Sequence, residues 1–332
     1  MKSTVATRHV KGGLLLQVVM LAGCGRAVRA PEPPPLNMAA YQAETDTWRM
    51  KRLDAIAGRE GWSTVAGLFW LDDTTYSVGS GPQNAIVLPE RHTPAVIGTL
   101  VVTDSSVRFR AVRRAGVVVG SVPIDTLTLA SDKAQTPTVL QSGSVTLHLI
   151  ERGGRRALRV KDTAYVLRRE FKTLEYFPLD TALRVVARLV PHATPRTLRI
   201  MNVIGQTEEY RSPGTLEFTI GGVTHHVIAA FEGKDTSQYF IIFRDATSRE
   251  STYPAGRFMY TAVADSSGGT VLDFNRAFNP PCAFTPFATC PLPPAGNVLS
   301  VPIAAGEKRY AGPHGATAAE ITPPRALVPR RS

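Results

Sequence analysis

Between Trp62 and Asn275 the sequence is cut into short runs of β-branched, aromatic and aliphatic residues, each bounded by Gly, Asp, Asn or Ser. Runs at 68–71, 74–78, 85–88, 98–102, 106–110, 117–119 and 127–129 follow one another in this way. Residues 145–150, a turn at 152–155 and residues 157–160 then read as a hairpin. Strands of this length and spacing predict a β-sandwich over 61–162. The pattern resumes at 183–190, 198–204, 216–220, 223–228, 239–243, 257–263 and 271–275, with Gly221-Gly222 as a second hairpin turn. These strands predict a second β-rich unit, a sandwich or small barrel, over 163–310. The fold class is therefore mainly β, and 332 residues suffice for two such units. With 43% apolar and 20% charged residues the chain is globular, neither low-complexity nor membrane-embedded.

Helical spacing is confined to the stretch before the strands. Met38, Tyr41, Trp48, Leu53 and Ile56 fall near one helical face, and Gly58 is a stop signal. A docking helix is expected over 38–60, its aromatic stripe facing the core. Prolines at 31 and 33–35 make 24–37 an extended spacer, and the Pro-, Ala- and Arg-rich tail, 311–332, reads as disordered.

The first residues carry a different message. Lys2, Arg8 and Lys11 precede an apolar run at 14–21, too short to span a bilayer and of the length of a signal-peptide core. It ends in Leu21-Ala22-Gly23-Cys24, which resembles the lipobox of bacterial lipoproteins. That resemblance implies cleavage after residue 23 and lipidation of Cys24. It also implies a membrane partner through the lipid, and a place in the cell envelope. Gly25 in the following position favours the outer membrane, facing the periplasm, in a cell with two membranes. Loss of 1–23 would take the formal net charge from +11 to +8.

Within the first β-rich unit, Tyr76 to Ser80, Asn84 to Leu88 and Gly98 resemble a forkhead-associated sandwich. That family reads phosphothreonine with an Arg where Ser80 stands here. His92 lacks the expected Ser-x-x-His spacing, so the resemblance implies the fold without the phosphopeptide site.

The segment 272–294 holds six prolines, including those of Asn279-Pro280-Pro281-Cys282-Ala283-Phe284-Thr285-Pro286, and reads as a rigid loop after a strand. Together with Arg184, Tyr253 to Phe258 and 61–71, it resembles a bacterial family known only as a domain of unknown function, over about 40–310. Phe278 and Phe287 stand where that family commonly has Tyr, and Tyr253-Pro254 where it has Tyr-Gly. Cys282 and Cys290, in an exported protein, are expected to form a disulfide, with free thiols, a metal pair or a nucleophile as alternatives.

Candidate ligand-binding residues are Arg257, Asp273, Asn275 and Asn279. Asp273 and Asn275 share a face if they lie on one strand, and Asp245 and Glu307 are weaker members of the same cluster. Structural pairing is the competing role for all of them. His225 and His226, neighbours on a strand, point to opposite faces and do not share an ion. No metal site, cofactor or catalytic residue is assigned, and no metalloprotease, nucleophile-elbow or phosphate-loop motif occurs. Arg152, Arg155, Arg156, Arg159, Lys161, Arg168 and Arg169 make a basic hairpin. In the envelope it suits an anionic polymer or headgroup, or simply solvent, and not nucleic acid. The leading expectation is a ligand- or partner-binding envelope lipoprotein. The alternatives are an envelope hydrolase with its site around Arg257 and Asp273, and a structural envelope protein.

Overall fold

The computed structural model describes Met1 and residues 36–89 and 93–313; Cys24, most of the spacer, His92 and the tail beyond 313 lie outside the described residues. The chain begins its regular structure with α1 (Met38–Ala57), capped by the Asn37 side chain, which accepts from the Ala40 amide at 3.1 Å. Its docked face is Tyr41, Thr45, Trp48, Arg52 and Ile56, spaced as one helical stripe. Met38 and Leu53, expected on that face, are 50% and 40% exposed. The apolar residues alone misplace the stripe, because Thr45 and Arg52 are the members that complete it.

The first β-rich part is a sandwich of two sheets. Its strands are β1 (Val65–Trp70), β2 (Thr75–Gly79), β3 (Ile86–Val87), β4 (Gly98–Val102), β5 (Val107–Ala111), β6 (Val118–Val119), β7 (Val122–Pro123), β8 (Thr126–Thr128), β9 (Val139–Ser142), β10 (Val145–Arg152) and β11 (Arg155–Asp162). One sheet runs β1-β11-β10-β9-β6-β7 and the other β3-β2-β4-β5-β8. Alternation sends Leu147, Leu149, Leu158 and Val160 of the first sheet inward against Val78, Leu100, Val107 and Phe109 of the second. The opposite face of the first sheet is also covered. There Leu68, Trp70, Ile150 and Ala157 pack against Ile204 and Phe287 of the second half.

Arg159 and His148 sit on this covered face, directly opposite each other across β10 and β11. Burial, with Lys161 and Arg159 beside it, pushes His148 from its ordinary 6.5 down to about 4. The unfolded chain then takes up this proton more readily than the folded one. The stability His148 contributes by remaining neutral should be present above pH 6.5 and lost as pH falls towards about 4. Urea midpoints measured across that window should fall more steeply for the wild type than for His148→Gln. Parallel profiles would refute the assignment.

After the single turn α2 (Val166–Arg169) come β12 (Arg184–Met201), β13 (Thr207–Ile220), β14 (Val223–Phe231), β15 (Gln238–Phe243), β16 (Arg257–Ala262) and β17 (Gly269–Asp273). They form a nearly closed barrel-like sheet in the order β16-β15-β14-β13-β12-β17. The runs expected separately at 183–190 and 198–204 are one long strand with an irregularity between Pro191 and Arg196, where proline interrupts the ladder. Inside lie Leu216, Phe218, Ile241, Phe243, Met259, Leu272 and Phe274. Where the barrel would close, β16 and β17 meet through side chains. Thr261 Oγ1 donates to the Val271 carbonyl at 2.6 Å and Thr270 Oγ1 to the Ala262 carbonyl at 2.7 Å. Strand β17 ends at Asp273; Phe274–Arg276 is a 3₁₀ turn. Asp273 and Asn275 therefore do not share a strand face as expected.

Candidate functional site

Arg257 opens β16 and is fully buried. The preceding Gly256 takes φ 113°, closing a turn in which its amide donates to the Tyr253 carbonyl at 3.1 Å. The Arg257 guanidinium contacts Asp245 Oδ2 at 2.8 Å, the Ile303 carbonyl at 2.8 Å and the Ala305 carbonyl. Asp245 in turn accepts from the Thr247 amide at 2.8 Å and the Ile303 amide at 3.1 Å. Burial draws the guanidinium below its ordinary value, opposed by Asp245. This arrangement fixes the returning segment 303–307 to the barrel. It leaves Arg257 facing no open space, and Arg257 shares no hydrogen bond with Asp273 among the described residues.

Asp273 instead meets α1: Tyr41 Oη donates to its two oxygens at 2.9 and 3.0 Å. Burial and this carboxylate both hold the Tyr41 phenol well above its ordinary value. Asn275 is buried and ties Asp180, with its Oδ1 accepting from the Asp180 amide and its Nδ2 donating to the Asp180 carbonyl. Asn279 belongs to another junction. Its amide donates to Glu307 Oε2 at 2.8 Å, and Arg52 of α1 donates to Glu307 Oε1 at 2.7 Å and to the Asn279 carbonyl at 2.6 Å. Arg52 also lies 4.5 Å from the Phe278 ring centroid. Asp273 and Asn275 are thus hydrogen-bonded to each other, Arg257 and Asn279 both reach Glu307 at another junction, and of the four Asp273 lines the groove described below.

Cys282 and Cys290 form the expected disulfide. It closes a loop whose Thr285 Oγ1 donates to the Val65 carbonyl at 3.1 Å and whose Phe287 packs on β1. The loop therefore fastens the barrel to the sandwich. Cys282→Ser/Cys290→Ser should cost about 2–3 kcal/mol from loop-closure entropy alone, read as the shift in urea unfolding. An unchanged midpoint would mean the loop is held without the bond.

The open space is a groove of about 930 Å³ between the N-terminal half of α1 and the outer surface of the β16–β17 seam. Tyr41 and Glu44 supply one wall; Tyr260, Ala262, Asp273 and Arg276 supply much of the other. Arg184, the first residue of β12, is paired in register with Asp273 and enters the same groove. Its guanidinium lies 5.9 Å from the Tyr41 ring centroid and has no hydrogen-bond or carboxylate partner among the described residues. Arg276, by contrast, pairs with Glu44 at 3.3 Å and Asp273 at 3.6 Å. Arg184 and Arg276 were not identified as binding residues from the sequence. Arg184 stands out there as one of the residues carrying the family resemblance and as an arginine opening an apolar strand.

The remaining sequence candidates lie elsewhere. His226 is exposed, 3.8 Å from Glu217, while His225 is half-buried against Phe218, as their opposite strand faces require. Several side chains of the basic hairpin are engaged. Arg152 pairs with Asp132, Arg156 with Asp73 and Lys161 with Glu60, while Arg159 is buried over Trp62 at 5.0 Å. No cluster of three or more His, Cys, Asp or Glu suited to a metal ion occurs among the described residues.

A family model matches part of the second half of the chain and leaves the first half unmatched. A search of curated proteins returns no match. Among solved structures, the chain is similar to the solution structure of an uncharacterized protein of Haloarcula marismortui, at 32% identity. That likeness covers 42% of this chain and 78% of that one, with a TM-score of 0.37. The family match spans 169–308, narrower than the 40–310 expected from the sequence and coextensive with the barrel and its proline loop. Through that segment the chain is similar to the family described as Protein of unknown function (DUF1684).

Proposed function

We propose that this is a lipid-anchored protein of the cell envelope that binds a small ligand in the groove between α1 and the β16–β17 seam. The observation that carries the binding reading is the groove itself, open to solvent and bordered by an arginine with no hydrogen-bond or carboxylate partner among the described residues. Ligand sites combine a concave surface with a few placed polar groups, and this groove is a feature of that kind. The hydrolase reading, centred on Arg257 and Asp273, has less support. Arg257 is fully buried and committed to Asp245 and backbone carbonyls.

The anchor rests on Lys2, Arg8 and Lys11, the short apolar run after them and Leu21-Ala22-Gly23-Cys24. A prolyl spacer would then hold the folded part clear of the bilayer, on the periplasmic side of an outer membrane where there is one. For the first half, the six-plus-five-stranded sandwich supports a forkhead-associated-like frame without its phosphopeptide chemistry. The Ser80 hydroxyl is spent on the Thr93 carbonyl at 2.7 Å.

Two experiments test these readings. Metabolic labelling with a palmitate analogue should mark the wild type and not Cys24→Ala; equal label would refute the anchor. Ala262→Trp places a large ring in the groove from an exposed position. In a ligand-observed NMR screen of a small-fragment library, fragments that bind the wild type should lose binding to this variant. Binding that persists would place the ligand site elsewhere.

A further inference from the structure

The groove's charges differ in how far they are already committed. Asp273 holds the Tyr41 hydroxyl and the Asn275 side chain, and Glu44 and Arg276 neutralise one another. Asp265 accepts from the Ser267 hydroxyl and from the Ser267 and Gly269 amides. It lies by Gly269, at the opposite end of β17 from Asp273, about 13 Å away at the usual strand rise. Arg184 alone among the groove's charged side chains has no partner of opposite charge or hydrogen-bonding acceptor among the described residues.

We infer that Arg184 is the recognition residue of the groove and that the ligand presents it a carboxylate. The inference rests on the groove-binding reading above and narrows it to a ligand class. A guanidinium offers two parallel N–H donors whose spacing matches the two oxygens of a carboxylate, the pairing that gives arginine its selectivity. The position of Arg184 is fixed by its strand. It starts β12 opposite Asp273, and the Tyr41 ring, itself held by Asp273, lies alongside. The N-terminal turn of α1 borders the same space, and its unbonded amides add partial positive charge there.

Charge also selects the kind of anion. Around Arg184 stand Asp273, Glu44 and Arg276, two guanidinia against two carboxylates with no net charge, and Arg184 is the one guanidinium without an ion-pair partner among the described residues. A monoanionic carboxylate satisfies it. A dianionic phosphate would bring a second negative charge against two carboxylates with no further cation to meet it. The exposed Tyr260 ring and Ala262 extend the groove beyond the charged end, giving an apolar or aromatic body of the ligand a surface to lie on.

Benzoate, its neutral analogue benzamide and phenyl phosphate are probes of matched shape. Titrated into the full folded protein by ligand-observed NMR, benzoate should bind the wild type at least about tenfold more tightly than benzamide and more tightly than phenyl phosphate, as a charge-assisted pair requires. Arg184→Gln should erase that preference while leaving the melting temperature nearly unchanged, because Arg184 has no ion-pair or hydrogen-bond partner to lose among the described residues. Arg184→Lys, which retains charge without the planar fork, should keep part of it. Equal binding of benzoate and benzamide, both abolished by Ala262→Trp, would overturn the carboxylate assignment and leave the groove reading standing. Preferential benzoate binding that survives Arg184→Gln would remove Arg184 from the role. Absence of binding by all three probes would overturn the carboxylate inference. A library hit still blocked by Ala262→Trp would then separate that failure from failure of the groove itself.

Discussion

Arg257→Ala should lower the free energy of unfolding by about 3–5 kcal/mol, the cost of leaving one member of a buried ion pair without the other. Asp245 would remain in the interior, its Oδ1 still accepting from Thr247 and Ile303 and its Oδ2 stripped of the guanidinium. The carbonyls of Ile303 and Ala305 would lose their donor at the same time. Arg257→Lys is the informative companion. Lysine keeps the charge but is a single-point donor on a flexible stem, and it cannot reproduce a fork that reaches a carboxylate and two carbonyls together. It should therefore recover only part of the loss. Urea unfolding followed by intrinsic fluorescence reads both variants. A loss under 1 kcal/mol for Arg257→Ala would mean the interior accommodates water beside Asp245, and the clasp on segment 303–307 would then be held by its backbone alone. The same variants bear on mechanism. A catalytic arginine could be removed from a folded protein, whereas this one should be missed first by the fold.

What the sequence disclosed divides along a physical line. Alternation and turn residues are local, so the Gly153-Gly154 and Gly221-Gly222 hairpins, β1 and β15 are legible strand by strand. Closure of the second sheet is not, because it depends on β12 meeting β17 and on threonine side chains crossing the β16–β17 seam. The candidate site shows the same division. Arg257, Asp273, Asn275 and Asn279 are polar residues in an apolar, proline-rich setting, which marks them as partners of something. Which partner they take is a long-range matter. Arg257 finds Asp245, Asp273 finds Tyr41 more than 200 positions away, and Asn279 finds Glu307. Residues with visible polar neighbours therefore turned out to be spent on the fold. Arg184, without an ion-pair partner among the described residues, is marked in the sequence by the family resemblance and by opening a strand, neither of which assigns it to a groove.

Arg52→Ala should release α1 at its C-terminal half and cost about 3–5 kcal/mol, since Glu307 is fully buried and keeps only the Asn279 amide as donor. The carboxylate cannot move to find water. Gly306 before it sits at φ 74°, so close to Ala277 that a Cβ there would lie 2.3 Å from the Ala277 carbonyl oxygen. A helix of 20 residues has little stability of its own and depends on such anchors. In this chain the ion pair of Arg52 with Glu307 holds α1 near one end, and the Tyr41 hydrogen bond to Asp273 with the Glu44–Arg276 ion pair holds it near the other. Removing the first places the load on the Tyr41 and Glu44 contacts at the other end, with Trp48 against Tyr176 between them. Hydrogen exchange should then show α1 amides losing protection ahead of those in β13 and β14, as a separately opening unit. Because α1 forms one wall of the groove, carboxylate binding should weaken too, although Arg52 does not line it. Arg52→Ala with α1 still as protected as the barrel would refute this dependence. Loss of protection in α1 and barrel together would make the helix part of one cooperative core and not a wall that can be loosened on its own.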